Sequence, residues 1–289
     1  MCANLSNPLQ LTVSKFSGRP RCPLEGSLPT PVSDGSGRRI APGLDRLGDD
    51  VVNFYLLHHA DGLVLIDAGL PGHRSQLRDH LARSGHTARD VRAVLLTHAH
   101  PDHTGLAGFL AQAGAVIWVH EHDAPILADG PLSAMRHAKP ERSMPGYLLR
   151  RPTVIATPLH LARMGAFTAR ALPDLHGVRT FEADRRLESV PGRPQAVVLP
   201  GHTSGSTAYL FADLGLLFTG DALVTYDGLT GHTGPTLVCR GFTHDSAAAL
   251  RALDRLAELT ATVLLPGHGH PFTGTPHAAA DQARRTGLR

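Results

Sequence analysis

Short apolar runs alternate with polar, glycine-rich or proline-rich connections from about residue 40 to the end of the chain. Runs rich in Val, Leu, Ile, Phe and Tyr are typical of β-strands, and apolar residues spaced three or four apart are typical of helices. The predicted strands are 51–57, 63–67, 91–97, 115–120, 178–183, 195–200, 207–212, 215–220 and 262–266. The predicted helices are 73–84, 105–113, 159–172, 246–259 and 278–285. Strands next to strands with helices interspersed predict sheets with helices packed outside them.

Two segments depart from this pattern. Residues 1–39 carry Gly, Pro, Ser and Arg without periodicity, which predicts an irregular N-terminal arm or tail. Within the remaining domain, 40–289, residues 129–175 are interrupted by prolines yet rich in Leu and Met. We interpret 129–175 as an insertion that acts as a lid or as scaffold. As a lid, it would select an apolar acyl group through side chains such as Met144 and Tyr147.

Composition excludes several classes of function. The net charge of +3 forms no basic block, so nucleic acid is not an expected partner. The three cysteines are too few and too scattered for a disulfide framework or a cysteine-based zinc site. No apolar run is long enough for a membrane helix, and the N-terminus lacks the apolar stretch of a secretory signal. We therefore expect a cytoplasmic protein with no membrane partner.

Histidine is abundant, with 19 residues, and its motifs follow the ends of predicted strands. The motifs are THAHPDH (97–103), PGHTSGS (200–206), TGDAL (219–223) and PGHGHP (266–271), and Asp67 ends a strand in the same way. Strand ends that feed loops are where a rigid scaffold presents catalytic groups. We therefore expect these five strand ends to converge on one site.

Imidazole and carboxylate are the ligands of a zinc-type site. His98 and His100 are close enough in sequence to bind one metal, and Asp102 with His103 can reach a second. A further histidine could complete each site, and an aspartate could bridge both metals. These remaining ligand candidates are His202, His268 and Asp221. Two cations that share a hydroxide would activate it near neutral pH and polarise a carbonyl or phosphoryl oxygen.

The HxHxDH loop, followed in order by a His, an Asp and a final His, resembles the signature of the metallo-β-lactamase fold superfamily over about residues 40–289. The resemblance implies an α/β fold, a four-layer αβ/βα sandwich with two mixed β-sheets flanked by helices and metals at one edge. It implies that one metal is bound by His98, His100 and His202, and the other by Asp102, His103 and His268. Asp221 would bridge the metals, and Asp67 would orient the ligand loop.

Among the branches of this superfamily, the sequence is most similar to the lactonase-like and glyoxalase II-like hydrolases. The resemblance then implies a hydrolase with two Zn²⁺ ions (Fe or Mn being alternatives) that cleaves an ester, lactone or thioester by a metal-bridging hydroxide. Asp102 would relay a proton to the leaving group. Tyr226 and His244, with His232, are candidates for substrate contact. Tyr226 follows Asp221 by five positions, whereas the lactonases have a tyrosine three positions after the aspartate.

Three alternatives stay open. They are a mononuclear iron enzyme similar to the persulfide dioxygenases, a β-lactamase-like amidase, and a metal-binding protein without catalysis. The expected partner is a small-molecule substrate, and the chain is expected to be a monomer or homodimer. Metal content and a substrate screen would discriminate these functions.

Overall fold

The computed structural model describes residues 37–169, 171–172 and 177–289. The predicted arm lies outside the described residues except for its last three positions, and residues 170 and 173–175 of the predicted insertion also lie outside them. The first described strand begins at Arg38, so the first sheet starts two residues before the predicted domain boundary.

Seven of the described strands form one mixed sheet, in chain order from edge to edge. They are β1 (Arg38–Ala41), β2 (Leu44–Gly48), β3 (Asn53–His59), β4 (Gly62–Ile66), β5 (Val91–Leu95), β6 (Val116–His120) and β7 (Val178–Phe181). Neighbouring strands from β1 to β4 pair antiparallel, and neighbouring strands from β4 to β7 pair parallel. A two-residue loop joins β3 to β4, and longer crossovers join the parallel strands, as each kind of pairing requires.

The other described strands form a second sheet and a separate hairpin. They are β8 (Arg185–Arg186), β9 (Gln195–Val198), β10 (Thr207–Phe211), β11 (Leu216–Gly220), β12 (Val224–Asp227), β13 (His232–Thr236), β14 (Val263–Pro266) and β15 (Phe272–Thr273). The second sheet has the order β15-β14-β11-β10-β9-β8, with β11 and β14 parallel and its other pairs antiparallel. Strands β12 and β13 pair only with each other within the described chain.

The helices of the described residues lie outside the two sheets or in the predicted insertion. They are α1 (Arg74–Arg83), α2 (Pro101–Thr104), α3 (Ala107–Ala113), α4 (Ala124–Asp129), α5 (Ala134–His137), α6 (Pro145–Arg150), α7 (Ala156–Arg163), α8 (Ser246–Glu258) and α9 (Pro276–Thr286). The two longest begin at side-chain caps, because Asp245 accepts from the Ala248 N–H and Thr275 from the Ala278 N–H. In the described chain, no helix combines the length and apolarity needed to cross a membrane.

Three apolar layers hold these elements together. Tyr55, Tyr209 and Phe218 belong to the core between the two sheets. Leu77 and Leu110 belong to the layer that joins α1 and α3 to the outer face of the first sheet. Leu253 of α8 belongs to the corresponding layer on the second sheet. The predicted four-layer αβ/βα sandwich is confirmed, since each sheet buries one face against its partner and the other against helices.

The predicted elements and the observed ones differ most where glycine and proline are frequent. The hairpin β12–β13 was not predicted, because its sequence VTYDGLTGHTGPT lacks an apolar run. Residues 129–175 contain three short described helices, α5 to α7, rather than one. Helix α7 runs from Ala156 to Arg163 and not over 159–172, because Pro158 is tolerated in a first turn and the backbone turns left-handed at Gly165.

Candidate metal centre

The histidine-bearing loops meet at one edge of the sandwich because the strands before them end there. Strands β4 and β5 are parallel in one sheet, and β11 and β14 are parallel in the other, so each pair ends at a common edge. Asn53 of β3 links the two sheets, since its side-chain amide donates to the carbonyls of Pro266 at 3.0 Å and Gly269 at 2.7 Å. Its backbone N–H also donates to the Gly267 carbonyl at 2.8 Å.

Two groups of candidate ligands share this edge. His98, His100 and His202 form one group, in which the ligand atoms lie within 4.8 Å of one another. Nδ1 of His100 is 2.8 Å from Nε2 of His202. Asp102, His103 and His268 form a second group with ligand atoms within the same distance of one another. The structure thus brings together six of the seven residues predicted from the loop motifs.

The seventh residue, Asp221, lies between the two groups. Its Oδ2 is 3.4 Å from Nε2 of His202 and 3.1 Å from Nε2 of His268. Its Oδ1 is 3.7 Å from Nε2 of His103. One carboxylate therefore contacts imidazoles of both groups, which is the arrangement expected of a bridging ligand.

Hydrogen bonds at the other ring nitrogen orient three of the imidazoles. His103 Nδ1 donates to Asp67 at 2.9 Å, and His268 Nδ1 donates to the Val51 carbonyl. The Thr97 hydroxyl lies 3.2 Å from His98 Nδ1 and donates to Asp67 at 2.8 Å. With Nδ1 occupied in this way, Nε2 of each ring points toward the shared edge, where its lone pair can bind a metal when the ring is neutral.

Orphaned polar atoms show that these residues fit metal ions. Nε2 of His98, Nε2 of His103 and Oδ1 of Asp221 are buried and have no hydrogen-bond partner in the described part of the protein. Leaving such atoms unpaired costs about 1–3 kcal/mol each, and cations bound by the two ligand groups would satisfy them. Imidazole and carboxylate are also the donor set of zinc and of other divalent transition metals.

Asp67, whose carboxylate accepts from Thr97 and His103, has a strained backbone conformation. Asp67 adopts a left-handed conformation with φ of 58° although it is not glycine. The strain is offset because its carboxylate accepts from His103, from the Thr97 hydroxyl and from the Thr97 N–H. Asp67 thereby connects the end of β4 to the loop that follows β5 and to helix α2 after that loop.

Burial and neighbouring charge separate the titration of the histidines. Burial lowers the pKa of His98 and of His202 well below the ordinary value. Burial also acts to lower the pKa of His103 and of His268, but nearby carboxylates, with Asp221 contacting both rings, raise these values to about 9 and about 10. In the absence of metal, His103 and His268 therefore carry an added proton at neutral pH, whereas the lowered pKa values of His98 and His202 keep those rings neutral.

Asp123 was missed by the sequence reasoning although it joins two ligand loops. Its Oδ2 accepts from the Ala99 N–H at 2.8 Å and from the Thr203 hydroxyl at 2.8 Å. Its Oδ1 accepts from the Gly205 N–H at 2.9 Å. The available signal was its position, since Asp123 follows the predicted strand 115–120 as the other site residues follow theirs.

Gly267 permits the close approach of two ligands. A Cβ added at this position would lie 2.3 Å from Asp221 Oδ1 and 2.6 Å from Cε1 of His103. A side chain there would displace both groups, so the PGH motif needs glycine for space.

Five of the seven candidate ligands line a cavity of about 210 Å³, namely His100, Asp102, His202, Asp221 and His268. Its walls are largely apolar, and among the described lining residues none is Lys or Arg. The wall residues from the predicted insertion include Leu132, Met135, Leu161, Ala166 and Phe167, and those from elsewhere include Val51, Val238 and Phe242. The structure therefore places part of 129–175 directly over the ligand-bearing edge.

The predicted substrate contacts fall in different places. Tyr226 lines the cavity. His244 is exposed, its Nδ1 lies 3.0 Å from the Lys139 carbonyl, and it is not among the described lining residues. His232 is also outside the described lining, with Nε2 3.4 Å from the Thr286 hydroxyl.

Met144 and Tyr147 do not form the described cavity wall. Both pack against Val154, Leu229 and Cys239 in a small separate core. The apolar wall of the insertion is made by other residues, so the structure divides 129–175 into a lining part and a packing part.

Known proteins with similar sequences and structures show the family of the chain. The family model described as the metallo-beta-lactamase superfamily matches residues 47–268. The probable metallo-hydrolase YflN of Bacillus subtilis is 25% identical over 260 residues, which are 85% of this chain and 90% of that protein. The metallo-beta-lactamase family protein TTHA1429 from Thermus thermophilus has a TM-score of 0.60 and 28% identity, covering 86% of this chain and 80% of that one.

TTHA1623, solved in a di-iron-bound form, has a TM-score of 0.54 and 26% identity, with 79% of this chain and 92% of that one covered. The matched residues 47–268 contain all seven candidate ligands. The chain belongs to the metallo-beta-lactamase superfamily, and its fold carries a candidate site for metal ions at the edge where that ligand signature converges.

Proposed function

We propose that the chain is a hydrolase that uses two metal ions to cleave an uncharged ester, lactone or thioester. The observation that supports this most directly is the position of Asp221 between two ligand groups on the floor of an apolar cavity. The proposed ligands are His98, His100 and His202 for one ion and Asp102, His103 and His268 for the other, with Asp221 bridging. Zinc suits this donor set, and the di-iron form of TTHA1623 makes iron the first alternative.

When bound, the two cations would supply Lewis acidity and a water ionised near neutral pH. The residues of the chain supply position and proton transfer. Asp102 borders the cavity, with Oδ2 3.7 Å from Nε2 of His103 and 3.5 Å from Nε2 of His268. We assign Asp102 the transfer of a proton to the leaving oxygen or sulfur. Tyr226 lines the cavity, and we assign its phenol to donate to a substrate oxygen.

The cavity wall indicates the kind of substrate. A strand-end metal site is open, so selectivity has to come from walls that bind the non-reacting part of the substrate. Because the described wall is apolar and contains no Lys or Arg, it favours an apolar acyl group over an anionic one. We assign the lid role to the lining residues of 129–175.

The proposal is tested by a substrate screen of the zinc-loaded and iron-loaded full-length chain. The panel contains lactones and thioesters with short and long acyl chains, aryl esters, a β-lactam and a persulfide. We expect two metals at the seven candidate ligands and turnover of an uncharged ester, lactone or thioester. A single iron per chain with oxygen consumption on the persulfide would replace the proposal with the dioxygenase function. Bound metal without turnover of any panel member would contradict hydrolysis.

A further inference from the structure

A second cluster of metal-ligating side chains lies at the other end of the first sheet. Asp45 is on β2, His58 on β3 and His80 in the last turn of α1. Strand β3 reaches the candidate metal centre through Asn53 at its first residue, whereas His58 is next to its last. The cluster is therefore separated from the candidate metal centre by most of the length of a strand.

The ligand atoms of this cluster have the separations of atoms bound to one ion. Oδ2 of Asp45 is 3.1 Å from Nε2 of His80 and 3.4 Å from Nε2 of His58, and the three ligand atoms lie within 4.8 Å of one another. With bonds of about 2.0–2.2 Å, two ligands of a tetrahedral zinc ion lie roughly 3.3–3.6 Å apart. The observed separations fit a single tetrahedral ion after small adjustments.

The cluster also contains a buried nitrogen that the described residues leave unsatisfied. Nε2 of His58 is buried and without a hydrogen-bond partner among the described residues, whereas Nε2 of His80 contacts Oδ2 of Asp45 at 3.1 Å. Nε2 of His58 faces the Asp45 carboxylate, whose side chain is 3% exposed. A buried imidazole nitrogen close to a buried carboxylate, yet not hydrogen-bonded to it, is the kind of group that a cation would satisfy.

One neighbour of the cluster, helix α1, favours a bound cation, and another, Arg39, competes with the cation for Asp45. His80 lies at the C-terminal end of α1, where the helix dipole favours positive charge. Arg39 competes, because its Nε donates to Oδ1 of Asp45 at 3.3 Å. The Arg39 side chain is 74% exposed and contacts only the oxygen that faces away from the two histidines, so both can be accommodated.

We propose that Asp45, His58 and His80 form a further zinc site, which joins the β2–β3 hairpin to helix α1. Two imidazoles and one carboxylate are the donors of a zinc or similar divalent ion, and water takes the remaining position of a tetrahedral ion. The role of this site is structural. The inference does not depend on the proposed hydrolysis.

The test is the zinc content of the full-length chain after loading and gel filtration. We expect His58→Ala and His80→Ala to hold one zinc ion per chain fewer than the wild type. His59→Ala is the matched control, because His59 is the next residue of β3 and lies 3.4 Å from Asp61 instead. It should keep the wild-type number. Equal zinc content in the wild type and both cluster variants would overturn the proposal.

A second measurement separates this site from the candidate metal centre. A double variant, His98→Ala with His103→Ala, should retain one zinc ion, and adding His58→Ala should remove it. If these variants fail to fold, anomalous scattering at the zinc edge from wild-type crystals shows whether zinc binds at the cluster. An anomalous peak within bonding distance of Asp45, His58 and His80 supports the proposed site. If crystals show zinc at the candidate metal centre and no peak at this cluster, the proposal is wrong.

Discussion

At the scale of single residues, four aspartates surround the candidate metal centre and differ in what they contact. Asp221 touches imidazoles of both ligand groups, and Asp102 belongs to one group and borders the cavity. Asp67 and Asp123 touch no open space and instead hold the loops that carry the histidines. An aspartate therefore serves as a candidate ligand where its oxygens face imidazole nitrogens, and it supports a loop where its oxygens accept from backbone and hydroxyl donors.

Replacing Asp221 tests the bridging role. In Asp221→Ala, four imidazole nitrogens lose the carboxylate that they share. Mutating a residue that only hydrogen-bonds to a metal ligand costs about 10–100-fold in activity, so we expect loss of this candidate ligand to lower turnover by more than about 100-fold. The fold should persist, since the strands around it remain. Metal content, turnover and circular dichroism are measured beside Asp213→Ala, an exposed control. Near-normal turnover in Asp221→Ala would refute the bridging role.

Replacing Asp123 tests positioning rather than ligation. Asp123→Asn exchanges one acceptor oxygen for a donor and leaves at least one buried N–H or O–H unpaired, which costs about 1–3 kcal/mol. We expect zinc affinity to fall by about 10–100-fold, as for other partners behind metal ligands. Competition with a chromophoric chelator measures this, with Asp213→Asn as control. Unchanged affinity together with a lower melting temperature would assign Asp123 to stability alone.

At the scale of elements, one aspartate connects helix α7 of the predicted insertion to the sandwich. Asp49 accepts from His73 at 3.0 Å and from His160 of α7 at 2.7 Å through the same oxygen. Its other oxygen accepts from the N–H groups of Val51 and Val52. Since the Val51 carbonyl accepts from His268, this contact connects helix α7 to a candidate ligand.

Asp49→Asn should loosen this connection in a pH-dependent way. Although burial acts to raise the pKa of Asp49, hydrogen bonds from His73, Val52 and His160 lower it far below its ordinary value. The carboxylate therefore stabilises the fold above its unfolded-state pKa of about 4, and this contribution is lost as pH falls below that value. Allowing for partial exposure, we expect Asp49→Asn to cost about 1 kcal/mol at neutral pH. Urea unfolding should show the difference shrinking below about pH 4, and a pH-independent difference would contradict the linkage.

The cavity wall from the insertion predicts a change in substrate binding. Leu161 and Phe167 line the cavity, whereas Leu149 of the same segment is 87% exposed and does not appear in the described lining. In Leu161→Ala and Phe167→Ala, lost apolar contact of about 1–1.5 kcal/mol should raise KM for a long-chain substrate by roughly tenfold. Steady-state kinetics with long and short acyl chains check this. Leu149→Ala is the control, and equal KM values in all three variants would place the acyl group elsewhere.

At the scale of the whole molecule, the candidate metal centre draws its ligands from both sheets. His98, His100, Asp102 and His103 follow β5 of the first sheet, and the other three ligands follow strands of the second. A bound pair of metals would therefore tie the two halves of the sandwich together, and its removal would act on the stability of the whole fold.

Metal removal should be visible in both stability and proton release. Without metal, His103 and His268 hold protons up to pH values of about 9 and about 10. Because a ligand imidazole has to be neutral, metal uptake releases protons, and apparent affinity should rise with pH between about 6 and 9. Chelator treatment should lower the melting temperature, and adding zinc back should restore it. Affinity that stays constant across this pH range would contradict the coupling.

The sequence by itself determined the order of most strands, the loops between them and the seven candidate ligands. Short apolar runs end at the histidine motifs, and this information is local. The four-layer fold came from resemblance to a family signature, which no periodicity in the chain would have supplied. The hairpin β12–β13 and the division of 129–175 into short helices escaped prediction, because glycine-rich and proline-rich stretches carry little periodic signal.

Only the tertiary structure decided which distant residues share a partner. Asp123 joins the loop at Ala99, 24 positions before it, to a loop 80 or more positions after it, and His160 reaches Asp49 across 111 positions. Tyr226 lines the cavity while His244 does not, and Met144 packs into a separate core although its composition suited a substrate wall. Such outcomes depend on which side of an element faces which neighbour. The orientation of each element is fixed by its packing against the others, and no single stretch of sequence predicts it.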